Sequence, residues 1–122
     1  MLGQESVYPL TIVEARAIGL MRMRDDKGID DKIIAVSVKD PAFADYTDHV
    51  QLPAHMGREI KRFFQDYKVL ENKTVVVEDI LGPEQALGVL REALAHYRRL
   101  RRGELTAGSV GRGATTTPQP AR

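Results

Sequence analysis

The sequence predicts an α+β domain in which two helices cover a small mixed or antiparallel sheet. Residues 10–23, 32–38 and 74–80 are rich in β-branched and apolar residues, which is typical of strands. Residues 54–67 and the segment that begins at Gly82-Pro83 carry apolar residues at helical spacing. The order strand, strand, helix, strand, helix favours an α+β fold, and three strands with two helices leave the core incomplete.

Length and composition limit the possibilities further. The chain has 122 residues, 43% hydrophobic and 29% charged, which suits one globular domain. It has no cysteine, so disulfides, thiolate metal sites and cysteine nucleophiles are excluded, as expected of a cytoplasmic protein. No apolar run has the length of a membrane span, and the first residues do not resemble a signal peptide. Residues 103–122, rich in Gly, Thr and Pro, are expected to form a disordered tail after a domain at 1–102.

The first two strands are expected to form a hairpin with a wide acidic loop. Gly19 inside the first strand indicates a bulge or bend. The second strand follows the turn-forming residues 24–30.

The two helices each present an apolar face. Pro53 opens the first helix, and Pro83 opens the second. The predicted core face of the first helix contains Met56, Ile60, Phe63, Phe64 and Tyr67, and that of the second contains Leu87, Leu90, Leu94, Tyr97 and Leu100.

The acidic loop is the most informative segment for chemistry. It contains Asp25, Asp26, Asp30 and Asp31 and is followed by Lys32. Carboxylates five residues apart across a glycine-containing turn can converge on one Mg²⁺, although the spacing is not that of an EF-hand. Taken alone, the pattern favours a solvated turn.

A second candidate is the pair Tyr67-Lys68 at the end of the first helix. A phenol and an ammonium group side by side can bind phosphate oxygens. By spacing alone, Tyr67 is the last core residue and Lys68 a favourable charge at a helix C-terminus. The three histidines show no metal-ligand spacing.

Several motifs in order resemble the soluble, Mg²⁺-dependent inorganic pyrophosphatases of family I. The resemblance covers residues 3–100 and is strongest in RDDKGIDDKIIAV (residues 24–36), Leu52-Pro53, FFQDYKVLE (residues 63–71) and VVVE (residues 75–78). It implies a small OB-like β-barrel, incomplete here, flanked by two helices, and hydrolysis of pyrophosphate to two phosphates.

The resemblance also implies roles for individual residues. By matching position, Asp25 and Asp30 are expected to bind Mg²⁺, with Asp26 beside them as an outer acidic residue. Lys32, Tyr67 and Lys68 are expected to bind phosphate. The family's Asp-Gly-Asp-Pro-x-Asp type motif, which supplies further ligands and the aspartate that activates water, has no counterpart in these 122 residues. No catalytic base is therefore assigned, Met1 is expected to follow a missing N-terminal half, and the chain is expected to hydrolyse pyrophosphate poorly.

Two other classes of function stay open at this point. One is a non-catalytic module that binds cations or phosphate or contacts other subunits; bacterial members of the family are commonly homohexamers, so a homo-oligomer is expected. The other is a nucleic-acid binder, suggested only by the OB-like analogy and the arginines at 98, 99, 101 and 102. The net charge of +1 and the few aromatic residues argue against it.

Overall fold

The computed structural model describes residues 1–104, so most of the predicted tail (103–122) lies outside the described residues. Residues 1–104 form four strands, two α-helices and one short 3-10 helix (His49–Gln51). The strands are β1 (Ala15–Asp25), β2 (Gly28–Ile29), β3 (Lys32–Ser37) and β4 (Val76–Leu81), and the helices are α1 (Ala54–Leu70) and α2 (Pro83–Arg101). The α+β class and the order of the main elements are confirmed.

β1 lies at the centre of a four-stranded antiparallel sheet. It pairs with β2 and β3, which follow it along one edge as a hairpin, and with β4 on the other edge. Near the N-terminus, Leu2 forms an isolated parallel bridge to Val36 on the outer edge of β3. The sheet is therefore antiparallel apart from this one bridge, and β2 is a strand that the sequence did not predict.

The prediction that the first strand begins at residue 10 is wrong, because a turn precedes it. The amide of Thr11 donates to the carbonyl of Tyr8 at 3.2 Å, and Leu10 has a φ of 67°. Proline at the second position and a left-handed residue at the third are the features of a type II turn. Leu10 and Ile12 are consequently almost fully exposed, and pairing starts at Ala15.

Gly19 marks an irregularity in β1, as the sequence predicted. The β1–β3 register shifts between Ala17 and Gly19. A Cβ atom at this position would lie 3.0 Å from the Cβ of His49 and 3.2 Å from the carbonyl oxygen of Leu81. Glycine is required here because two other segments pack directly against the strand.

The core lies between the sheet and α1. Its fully or nearly fully buried residues come mainly from β1 and β3 and include Ile18, Met21, Met23, Ile34, Val36 and Leu52. Three residues of α1, four positions apart, pack against this cluster: Met56, Ile60 and Phe64. The prediction that Phe63 and Tyr67 also face the core is wrong, since their exposed fractions are 61% and 48%. Residues 63 and 67 are one step, about 100°, away from the row at 60, 64 and 68.

The helix α2 packs on β1 at Ala86, in its first turns, rather than along its row of leucines. Ala86 is fully buried, whereas four residues of the predicted apolar face remain substantially exposed: Leu87, Leu90, Leu94 and Tyr97. The expectation of an incomplete core is thus visible as an uncovered face on α2. Among residues 1–104, no helix combines the length and apolarity that crossing a membrane requires.

Candidate active site

The candidate site is built around Lys68, in the last turn of α1. Lys68 continues the buried row of Ile60 and Phe64 by one further turn, so its side chain points toward the sheet rather than to solvent. Its exposed fraction is only 9%, and among residues 1–104 it is the one charged residue that is buried. A buried ammonium group requires anionic partners.

The acidic hairpin supplies those partners. The Nζ atom of Lys68 lies 3.4 Å from Oδ2 of Asp25 and 3.3 Å from Oδ2 of Asp30. Glu71, one turn further along the helix, is 4.0 Å from the same nitrogen. The two aspartates that occupy opposite ends of the hairpin loop therefore converge on one positive centre.

Local hydrogen bonds hold each aspartate in place. Asp25 ends β1, and its Oδ1 atom accepts the backbone N–H of Lys27 at 2.9 Å. Asp30 follows β2, and its Oδ1 atom accepts from Nζ of Lys32 at 2.7 Å. The ammonium group of Lys32 in turn lies 5.8 Å from the centre of the Phe64 ring, a cation–π distance. Four of the predicted residues thus form one contiguous cluster.

The electrostatics of the cluster favour the charged forms of its members. The backbone N–H of Lys27 lowers the pKa of Asp25, and Lys68 lowers it further. Burial raises the pKa of Asp30, but Lys32 and Lys68 outweigh burial and the net shift is downward. Burial likewise opposes the charge on Lys68, yet its pKa is raised by Asp30 and Asp25. Both carboxylates and the ammonium group are therefore ionised at neutral pH.

Two predicted site residues lie outside these contacts. Tyr67 stacks on Phe63, with ring centres 6.3 Å apart, and points away from Lys68 along the outer surface of α1. Asp26 is exposed at the tip of the hairpin. The structure therefore brings together Asp25, Asp30, Lys32 and Lys68 and leaves Tyr67 and Asp26 at the periphery.

Glu71 was not predicted as a member of the cluster. The signal for it was its position three residues after Lys68, a spacing that places two helical side chains on one face.

The donor set fits part of a Mg²⁺ site. Mg²⁺ in proteins commonly takes one or two carboxylates and completes its shell with waters and substrate phosphates. Asp25 and Asp30 supply two carboxylates that already face a shared positive charge. Within residues 1–104, no group of three or more Asp, Glu, His or Cys side chains is arranged to hold a metal ion.

The site thus combines a small antiparallel sheet, an acidic hairpin and a helix whose last turn carries a buried lysine. Residues 1–98 match the family described as inorganic pyrophosphatase. The chain belongs to this family.

Named relatives agree with this assignment. The chain is 48% identical over 98 residues to soluble inorganic pyrophosphatase 2 of Chlamydomonas reinhardtii, covering 80% of this chain and 51% of the relative. It is 50% identical over 97 residues to soluble inorganic pyrophosphatase PPA1 of Solanum tuberosum, covering 80% of this chain and 46% of the relative. The chain therefore spans about half the length of the curated relatives it matches.

Solved structures show the same fold. The inorganic pyrophosphatase of Thermus thermophilus superposes with a TM-score of 0.73 at 33% identity, over 80% of this chain and 57% of the other. The enzyme of Helicobacter pylori gives a TM-score of 0.66 at 38% identity, over 70% of this chain and 52% of the other. Both agree with the OB-like fold class that the family resemblance implied. This chain forms part of that fold, an incomplete antiparallel sheet with two helices.

Proposed function

We propose that this chain contributes metal- and phosphate-binding residues to the Mg²⁺-dependent hydrolysis of inorganic pyrophosphate to two phosphates. The observation that supports the proposal is the convergence of Asp25 and Asp30 on Lys68, with Lys32 beside them, in a chain of the inorganic pyrophosphatase family. Pyrophosphate is a compact polyanion, and its hydrolysis depends on neutralising the charge of its oxygens. A cluster of two carboxylates and two ammonium groups offers sites for both the cation and the anion.

Each residue has a distinct proposed role. Asp25 and Asp30 would hold Mg²⁺, which when bound lowers the pKa of a coordinated water and neutralises phosphate charge. Lys32 and Lys68 donate hydrogen bonds to phosphate oxygens. A lysine ammonium carries three donors, so it can bind a phosphate oxygen as well as a carboxylate.

The peripheral residues have secondary roles in this proposal. Tyr67, adjacent to Lys68 and about half exposed, would donate its phenol to a phosphate after a change of rotamer. Asp26 would hydrogen-bond to waters around the metal from the tip of the hairpin.

The proposed activity of these residues alone is low. Two carboxylates fill only part of the octahedral shell of Mg²⁺, and none of the clustered side chains is free to serve as a general base. We expect the 122-residue chain to bind divalent cations weakly, with a Kd on the order of 10⁻⁴–10⁻³ M, the range of low-affinity cation modules. We expect phosphate release to be slower by orders of magnitude than in a complete active site.

The decisive measurement is calorimetric titration of the chain with Mn²⁺ as a probe of the Mg²⁺ site, with and without inorganic phosphate. The double variant Asp25→Asn with Asp30→Asn is expected to lose the binding. Asp66→Asn is the matched control, because Asp66 lies in the same helix as Lys68 but pairs with Arg62 on the surface. If the double variant binds Mn²⁺ as tightly as the parent chain, the loop is a solvated turn and the site assignment is wrong.

A colorimetric phosphate assay with pyrophosphate and Mg²⁺ completes the test. Binding without turnover would favour a non-catalytic cation- and phosphate-binding module over a hydrolase. We further propose a cytoplasmic location, consistent with the absence of cysteine, and a homo-oligomer in which the exposed apolar face of α2 is covered.

A further inference from the structure

An ion pair lies on the face of the hairpin opposite to the candidate site. The pairs Arg24↔Ile29 and Met21↔Lys32 belong to one register, so Arg22 of β1 lies directly opposite Asp31. The guanidinium group binds the carboxylate through two parallel contacts, Nε to Oδ1 and Nη2 to Oδ2, each 3.3 Å. The Asp31 side chain is only 11% exposed, so the pair is partly shielded from water.

The backbone beside this pair is weakly tethered. Asp30 and Asp31 belong to neither β2 nor β3, so the ladder between the strands is interrupted at these two residues. In the described chain, the backbone of residues 30 and 31 makes one hydrogen bond to β1, from the amide of Asp30 to the carbonyl of Met23 at 2.8 Å. The bidentate side-chain pair therefore bridges the gap in the ladder.

The alternation of side chains gives this bridge a directional effect. Successive residues of an extended segment point to opposite faces, so Asp31 points away from the face that carries Asp30 and Lys32. Lys32 lies opposite Met21, a core residue, and reaches toward Phe64 of α1. Holding Asp31 on one face consequently fixes Asp30 and Lys32 on the other.

We propose that Arg22 and Asp31 are positioning residues, whose ion pair holds Asp30 and Lys32 in the geometry that binds the cation and phosphate. The part of this inference that concerns ligands rests on the proposed function. Neither residue touches the cluster around Lys68, so both act through the backbone of residues 30–32.

The size of the effect follows from the geometry. Removing one partner leaves the other charge in a partly buried position without its two hydrogen bonds. We expect local opening of residues 30–32 to become about tenfold more frequent, with little change in the stability of the whole domain.

The test is amide hydrogen exchange by NMR on the full chain, read at Asp30 and Lys32. The variants are Arg22→Gln, Asp31→Asn and the charge exchange of Arg22→Asp with Asp31→Arg. Arg22→Lys serves as a milder variant, because it keeps the charge and loses the two-pronged contact. Arg24→Gln is the matched control: Arg24 lies two positions further along β1, and its side chain pairs with Glu78 of β4 at 3.1 Å rather than with the hairpin.

The expected result is faster exchange at Asp30 and Lys32 in the single variants, with core amides such as that of Ile18 unchanged, and recovery in the charge-exchanged variant. Titration with Mn²⁺ is expected to show a parallel loss and recovery of affinity. If the amides of Asp30 and Lys32 exchange no faster in the Arg22 and Asp31 single variants than in Arg24→Gln, the proposal is overturned. Faster exchange with unchanged Mn²⁺ affinity would also overturn it, because the pair would then hold the loop without positioning a ligand. A parent chain that binds no Mn²⁺ contradicts the proposed function, and the exchange rates then decide the role of the ion pair by themselves.

Discussion

Lys68 and Asp25 are 43 positions apart in the sequence, yet the Nζ atom of Lys68 lies 3.4 Å from Oδ2 of Asp25. The same nitrogen is 3.3 Å from Oδ2 of Asp30. The ammonium group therefore occupies the place where the charge of a divalent cation would be needed to relieve the repulsion of the two carboxylates. Lysine and cation are in competition for the same pair of side chains.

Replacing Lys68 with methionine is expected to raise the affinity for Mn²⁺ about tenfold in the absence of phosphate, because a competing positive charge is removed. Methionine has a similar length and suits the partly apolar path along α1. The same variant is expected to weaken phosphate binding in the presence of Mn²⁺, because a phosphate donor is lost. Calorimetry with each ligand separates the two effects.

The control for this substitution is Lys73→Met. Lys73 also carries a positive charge near Glu71, at 3.6 Å, but does not contact Asp25 or Asp30. Equal increases in Mn²⁺ affinity in the two variants would mean that net charge, and not the position of Lys68, sets the affinity.

The metal-free chain is expected to show a defined pH profile of stability. The pKa values of Asp25 and Asp30 are lowered in the folded state, so their contribution is present above the ordinary aspartate range, about pH 4, and is lost as the pH falls through their lowered pKa values. The pKa of Lys68 is raised, so its contribution persists at neutral pH and is lost only above its ordinary value.

Urea denaturation in EDTA between about pH 3 and pH 8 measures this profile. In Lys68→Met, the free energy of unfolding is expected to fall less steeply at acid pH (the acid limb of the profile), because Asp25 and Asp30 lose a partner that lowers their pKa values. Asp79, whose pKa Lys61 lowers, contributes to the same limb in both proteins and does not alter the difference. An identical acid limb in the two chains would contradict the electrostatic role of Lys68.

Gly19→Ala is expected to destabilise the domain by about 1–3 kcal/mol, because the new methyl group overpacks against His49 and the backbone of Leu81. Gly88→Ala in α2 is the matched substitution, and it is expected to stabilise the domain rather than destabilise it. Its methyl group meets nothing within 4 Å, and alanine stabilises a helix interior by about 0.5–1 kcal/mol relative to glycine. Thermal unfolding followed by circular dichroism distinguishes them.

The double variant Leu94→Glu with Tyr97→Glu is expected to reduce self-association without lowering the melting temperature. Both side chains are more than half exposed on the uncovered face of α2, so charge there removes an apolar contact surface. Ala95→Glu is the comparison, because it adds a charge at an exposed position of α2 and leaves Leu94 and Tyr97 in place. Light scattering coupled to gel filtration gives the result, and unchanged association of the double variant would exclude this face as the contact.

The sequence predicted the three longer strands, the two α-helices and their order, because periodicity and turn residues are local properties. It failed where tertiary contacts decide between local alternatives. Tyr67 satisfied the helical spacing of a core residue, but the sheet covers the row that ends at Lys68 and not the neighbouring row. Likewise, β-branched content extended the first strand back to residue 10, whereas the turn at Pro9-Leu10 sets its true beginning.

Only the family resemblance, which depends on several motifs in order, could predict that these residues form one cluster. Asp25 and Lys68 carry no mutual signal in a single sequence, because their contact depends on how α1 crosses the hairpin. The ion pair of Arg22 and Asp31 depends in the same way on strand register, which spacing alone does not give.

The position of Lys68 at the end of a buried helical row limits how the length of this chain can vary. One residue added between Phe64 and Lys68 would rotate the ammonium group about 100° away from the hairpin, even though every side chain of the cluster remained in the sequence. Residues 39–48, between β3 and the 3-10 helix, carry none of the clustered residues and form irregular backbone. An insertion in that connection leaves the cluster in place as long as Phe43 and Tyr46 keep their packing on the core, whereas one in the last turns of α1 disrupts the cluster. Length in those turns is therefore as much a determinant of the site as residue type.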